Sequence, residues 1–225
     1  MKKLFLMMAV LCLLLAGCGQ TKQNDSAETE APEQPVVEPS ADAAATIYPL
    51  PDSTMENLTD AILSVSLEEG DAYVDDTGKM QMDVKIYTYD KYDMVDVSAL
   101  KEGDIMVTHA GDVEVTSIER SESGIIYING GLEEGGFDLV TDDSGIFFET
   151  GFNDARNWYE VGEATIRVSV DFVGYDCSDP DQGEVIFYPG SFLVGEVSDY
   201  NFTPYNTTIR VEAGQIVELT RRYVP

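Results

Sequence analysis

The sequence predicts an all-β protein: a mostly antiparallel β-sandwich or barrel-like domain carrying at most one short N-terminal helix. Three observations point there. In KMQMDVKIY, Met80, Met82, Val84 and Ile86 alternate with Gln81, Asp83, Lys85 and Tyr87, and in ATIRVSVDF, Ala164, Ile166, Val168, Val170 and Phe172 alternate with polar partners. Side chains along a strand point to opposite faces, so each stretch reads as a half-buried antiparallel strand. In TTIRVEAGQIVEL, Gly214 stands between two alternating runs, as a tight hairpin requires. Many further apolar runs are short and lie between turn pairs such as Glu-Gly-Asp, Ser-Gly, Gly-Gly and Pro-Gly.

Taken in order, the folded part opens with the candidate helix. Ser53 and Glu56 have capping-box spacing, and Leu58 and Ile62, with Met55, form an apolar stripe over 53–62. Its far end, AILSVSL, fits a strand equally well. Further strands are expected at 61–67, 104–108, 112–119, 124–129, 136–141, 145–149, 156–161, 184–188 and 191–198. SLEEGDAYV at 66–74 and ALKEGDIMV at 99–107 share a register, and two copies imply a shared tight turn in which glycine takes a positive φ, not a solenoid. The β domain spans 47–225, as one unit or as two packed β units split near 150, where GFNDARN is the candidate joint.

Ahead of it, residues 18–46 are rich in Glu, Pro, Ala, Ser and Thr and contain no aromatic side chain. Such a composition cannot bury a core and reads as a disordered tether, with a reach of about 30 Å as a flexible coil. Lys2 and Lys3 precede an unbroken apolar run from Leu4 to Leu15, the length of a signal-peptide core and too short for a stable membrane span. Leu15, Ala16, Gly17 and Cys18 resemble the lipobox of bacterial lipoproteins at all four positions. This resemblance covers the export segment alone, residues 1–17 and Cys18. It implies cleavage before Cys18, a diacylglycerol on that sulfur, and a domain held outside the cytoplasm at the bacterial cell membrane or outer envelope.

Cys12 then leaves with the signal and Cys18 carries lipid, so Cys177 stands alone and no disulfide joins the mature chain. Stability has to come from a hydrophobic core or bound ions. Forty-two acidic residues against thirteen basic ones give a formal net charge of −29. Acidity of this size excludes nucleic acid as a partner and repels anionic headgroups, leaving the acyl chains as the membrane attachment. The counterparts it favours are cations, a neutral glycan or a basic peptide.

The chain has no GxSxG, HExxH, P-loop, GxGxxG or CxxC, which removes the commonest hydrolase, zinc-protease, nucleotide and redox signatures. The lone histidine, His109, reads as a bystander in a turn between two strands, and no nucleophile signature surrounds Cys177. Two acidic loops have calcium character: Asp179, Asp181 and Glu184 in one, and Asp75, Asp76 and Asp83 in the other, neither with EF-hand spacing. Two aromatic groups are candidates for ligand contact: Tyr87, Tyr89 and Tyr92 among aspartates, and the Trp158–Tyr159 pair. These features predict a non-catalytic, extracytoplasmic binding or interaction module. An enzyme acting on envelope glycans or peptides and a calcium-stiffened structural domain stand as alternatives.

Overall fold

In this computed structural model the described residues are 43–151, 155–194 and 201–224. The expected export signal, Cys18 and most of the expected tether lie outside them. Fifteen strands occur in chain order: β1 (Thr46–Ile47), β2 (Ala61–Ser66), β3 (Ala72–Val74), β4 (Met80–Thr88), β5 (Lys91–Tyr92), β6 (Ile105–Thr108), β7 (Gly111–Glu114), β8 (Ile118–Arg120), β9 (Ile126–Ile128), β10 (Phe137–Thr141), β11 (Phe147–Thr150), β12 (Tyr159–Cys177), β13 (Val185–Phe187), β14 (Thr207–Glu212) and β15 (Gln215–Arg222). Among the described residues two short helices join them, α1 (Met94–Ala99) and α2 (Pro189–Leu193). The protein is all-β.

The ladders close a barrel. β2 pairs with β4, β4 with β12, β12 with β15, β15 with β14 and β14 with β2, so five strands form a ring, with β3 and β13 added outside it. Every pair in the ring is antiparallel except β12–β15. Strand β12 makes closure possible because it is nineteen residues long: residues 159–167 pair with β4 and residues 167–177 with β15. Closing a sheet on itself leaves no unpaired edge in the ring.

The barrel interior holds Leu63, Val65, Met82, Val84, Ile86, Ile166, Val168, Phe172, Ile209, Val211, Ile216 and Leu219. The alternation of β4 therefore faces as its sequence predicts. In β12 it breaks once: Val170 is 86 % exposed, because between the pairs Val168–Ile216 and Val173–Glu218 four residues of β12 stand against one of β15. A bulge of this kind re-aims side chains and bends the strand around the barrel. The β14–β15 hairpin turns through Ala213 (φ 47°) and Gly214 (φ 73°), the double positive φ of a type I′ turn. Gly70 and Gly103, the paired Glu-Gly-Asp positions, both take positive φ, 97° and 91°, just ahead of β3 and β6.

A second core is formed by residues between β4 and β12 in the chain together with Ile47 of β1. It contains Ile47, Tyr92, Val97, Leu100, Met106, Val115, Ile126, Ile128, Phe137, Leu139 and Phe147. A five-stranded antiparallel sheet ordered β5-β11-β10-β9-β8 and a three-stranded sheet ordered β1-β6-β7 build it. The junctions with the barrel core fall after β4 and between β11 and β12. Ala45 and Thr46, at the end of the expected tether, are already fixed to this unit: Ala45 N–H donates to Asp104 Oδ1 (2.8 Å) and Thr46 pairs with Ile105.

Three expectations fail locally. The 53–62 helix is only a 3-10 turn over Thr54–Glu56; Ser53 makes no cap, whereas Asp52 accepts from Thr54, and AILSVS is strand β2, whose period of two buries Leu63 and Val65. The helix that does form, α1, is capped by Asp93, which accepts from Val95 N–H at 2.7 Å. The strand expected at 191–198 begins instead in α2, whose Phe192 packs into the barrel core, and its remainder lies outside the described residues.

Candidate functional site

Where the chain passes from the barrel core to the second core, four stretches meet. Asp90 follows the end of β4 and is 4 % exposed. His109 occupies the two-residue turn between β6 and β7, held by Thr108, whose hydroxyl donates to Gly111 carbonyl (2.9 Å). Glu149 lies on β11, which pairs with β5 through Phe148–Lys91 and Phe147–Tyr92; the same register carried one step further sets Glu149 opposite Asp90. Asn157, Trp158 and Tyr159 lead into β12, where Tyr159 pairs with Thr88.

Asp90 is the hub. Its Oδ2 accepts from His109 N–H at 2.6 Å and lies 3.1 Å from His109 Nδ1, while its Oδ1 accepts from the Tyr159 hydroxyl at 3.0 Å. The Tyr159 ring stacks on the imidazole, with centroids 4.3 Å apart and planes 16° apart. Glu149 Oε1 accepts from Asn157 Nδ2 at 2.8 Å. Ligand atoms of Asp90, His109 and Glu149 all lie within 4.8 Å of one another, and among the described residues no other His, Cys, Asp and Glu set of three does. Burial raises the Glu149 carboxyl above its ordinary range, opposed by the Asn157 hydrogen bond and by His109. Burial likewise pushes the Tyr159 phenol far up, reinforced by the negative charge of Asp90 beside it.

A cleft of about 210 Å³ opens next to Asp90, lined by Pro49–Asp52, Tyr89, Lys91 and Tyr159. Its wall is fixed by Leu50 N–H donating to Lys91 carbonyl (2.6 Å) and by Thr88 hydroxyl donating to Asp52 Oδ1 (3.0 Å). Behind it, Tyr89 meets Trp158 edge-on at 4.8 Å and Phe148 at 5.6 Å. Lys91 Nζ and the Arg156 guanidinium each lie 4.9 Å from the Tyr89 ring centre, and the guanidinium 4.7 Å from that of Phe148.

The structure brings Tyr89, Trp158 and Tyr159 together at this junction, from the five aromatics that the sequence nominates. Tyr92 is a core residue: it is fully buried and its hydroxyl donates to Val107 carbonyl at 3.0 Å, which closes it to any ligand. Tyr87 belongs to the barrel wall, its hydroxyl 3.2 Å from Ser66 Oγ.

The acidic loops do not gather ligands. Asp75 Oδ1 accepts from Thr77 N–H, Thr77 hydroxyl and Lys79 N–H, and its Oδ2 accepts from Gln81 Nε2, so its carboxylate organises the β3–β4 turn. Those hydrogen bonds hold it well below the usual carboxylate range. Asp76 is exposed in the same turn, whereas Asp83 sits on β4 and accepts from Thr165 hydroxyl at 2.6 Å. In the other loop Asp179 accepts from Asp181 N–H and Gln182 Nε2, with Asp181 and Glu184 exposed. Cys177 ends β12 while Tyr159, which stacks on His109, begins it; a Cys177–His109 pair is thereby excluded by the length of one strand.

The sequence nominated neither Asp90 nor Glu149, and it read His109 as a bystander. Positions 90, 109 and 149 share no local pattern, and the one available signal was a lone histidine in a two-residue turn. Comparison with protein-family models, curated proteins and solved structures finds no match to this chain.

Proposed function

We infer that the chain is a lipid-anchored, extracytoplasmic binding module of the bacterial cell envelope that takes a basic peptide or other cationic ligand into the cleft beside Asp90. The export signal, the four lipobox-like residues and the tether composition support the location. One observation carries the ligand class: two of the three sequence-nominated aromatic rings at the junction are already covered by cations or by imidazole, Tyr89 by Lys91 and Arg156, and Tyr159 by His109. A neutral sugar needs an open ring face to stack on, whereas a basic group needs a carboxylate, which the exposed Asp52 supplies at the cleft. The net charge of −29 steers such a ligand toward the domain.

Two measurements test this reading. Cys18→Ala is expected to abolish incorporation of a palmitate analogue, and continued labelling contradicts the anchor. An oligolysine peptide at about one hundred times its dissociation constant adds about 2.7 kcal/mol of stability by mass action, so the melting temperature rises by about 5–10 °C. Asp52→Asn weakens that rise. A chitooligosaccharide that shifts the transition while oligolysine does not overturns the ligand class.

The enzyme alternative draws on one feature, a carboxylate that orients a histidine as in acid–base catalysis. No Ser, Thr or Cys side chain hydrogen-bonds His109 among the described residues. Hydrolysis of an envelope peptide that is lost in His109→Ala favours that alternative over the binding module.

A further inference from the structure

We propose that Asp90, His109 and Glu149 form a binding site for a divalent transition-metal cation, of which zinc is the best fit. The site stands on its own geometry and does not depend on what the neighbouring cleft binds.

Three features carry it. The first is spacing. Tetrahedral metal–ligand distances of about 2.0–2.2 Å place neighbouring ligands about 3.3–3.6 Å apart. His109 Nδ1 and Asp90 Oδ2 are already 3.1 Å apart. A Glu149 carboxylate oxygen is within 4.8 Å of both.

The second is support from the surrounding groups. Metal-binding side chains are held by hydrogen bonds on the atoms they do not use for the metal. Here Tyr159 hydroxyl occupies Asp90 Oδ1, while Oδ2, which accepts from His109 N–H, faces the imidazole. Asn157 occupies Glu149 Oε1, and Glu149 Oε2 has no hydrogen-bond partner among the described residues. The Tyr159 ring fixes the plane of the imidazole.

The third is charge. Two carboxylates, one almost fully buried, face one imidazole, and among the described residues no Lys or Arg forms an ion pair with either. Buried carboxylates require a compensating cation, and with neutral imidazole a bound divalent ion supplies it.

The donor set selects the metal. Calcium takes six to eight oxygen ligands, whereas one imidazole and two carboxylates suit zinc, or iron and manganese, with positions left for water. The cation is therefore held at the junction of the two β units, away from the acidic turns.

The test is calorimetric titration of the chelator-treated full chain with zinc chloride, repeated with calcium chloride. One zinc is expected per chain, undisturbed by excess calcium. His109→Ala lies in an exposed turn and leaves the two cores intact; it is expected to weaken zinc binding by more than about a hundredfold. Asn157→Ala and Tyr159→Phe, which remove support and not ligands, weaken it by about ten- to a hundredfold. If His109→Ala melts early, Glu149→Gln replaces it with the same expected loss. Zinc affinity equal in the parent and in both ligand variants means adventitious binding to surface carboxylates and overturns the site, as does the absence of binding by the parent. Loss of oligolysine binding with zinc binding intact refutes the cleft reading alone.

Discussion

Replacing Tyr159 with Phe removes one hydroxyl and leaves the ring stacked on His109. The hydroxyl donates to Asp90 Oδ1 at 3.0 Å, and Asp90 is 4 % exposed, so water has little access to take its place. A hydrogen bond to a charged acceptor contributes about 1.5–3 kcal/mol, and Asp90 keeps the His109 N–H on its other oxygen. The expected loss is therefore about 2 kcal/mol. For a domain of this size that lowers the melting temperature by about 4–8 °C. Urea unfolding of the protein, followed by far-ultraviolet circular dichroism in chelator to remove any metal contribution, should show a lower midpoint at unchanged slope. A change below about 0.5 kcal/mol, the ordinary range for surface substitutions, would mean that Asp90 is solvated and is not the hub of the junction.

Gly136→Ala should destabilise strongly, because a Cβ there would lie 1.9 Å from the backbone oxygen of Ile128; a melting curve unchanged from the parent contradicts the β9–β10 pairing. Asp176→Ala removes the carboxylate that pairs with the Arg221 guanidinium, which is 4 % exposed; a loss of about 1.5–3 kcal/mol, the range for a hydrogen bond to a charged group, is expected in urea unfolding. Burial opposes ionisation of Asp176, but hydrogen bonds from Arg221 and Ser178 outweigh it and hold its carboxyl below the ordinary value. Its contribution is present above the unfolded-state value near pH 3.9 and is lost as pH falls through the folded one, so Asp176→Ala should narrow its stability deficit at low pH. Glu149 has the opposite sign: burial raises its carboxyl, the cost is present above the folded value and is relieved as pH falls toward the unfolded value near 4.3. Glu149→Gln in chelator should then melt higher than the parent at pH 7 and level with it below pH 4, and a lower melt at pH 7 refutes the burial assignment.

The barrel strands were legible where their information is local. The alternation in β4 buries Met82, Val84 and Ile86, and the Ala213–Gly214 turn sets the β14–β15 register within a dozen residues. Closure was not legible, since it rests on one long strand pairing with β4 at one end and, in parallel, with β15 at the other. Nor could alternation foresee the bulge that turns Val170 outward. The 53–62 stretch misled because capping-box spacing occurs without a helix when Asp52 satisfies the turn instead and β2 finds two barrel neighbours. MVDVSA carried no expected element; the Asp93 cap and the packing of Val97 in the second core make it α1. Of the junction, the sequence offered Tyr89, Trp158 and Tyr159, which are conspicuous as aromatics. Asp90 and Glu149 were hidden among 42 acidic residues, and only the β5–β11 register and the β6–β7 turn distinguish them from the rest.

The most direct measurement is anomalous diffraction at the zinc absorption edge from crystals of the protein grown with equimolar zinc. A single peak bounded by Asp90 Oδ2, His109 Nδ1 and Glu149 is the expected result. Peaks confined to the turns around Asp75 or Asp179, or none at the junction, contradict it.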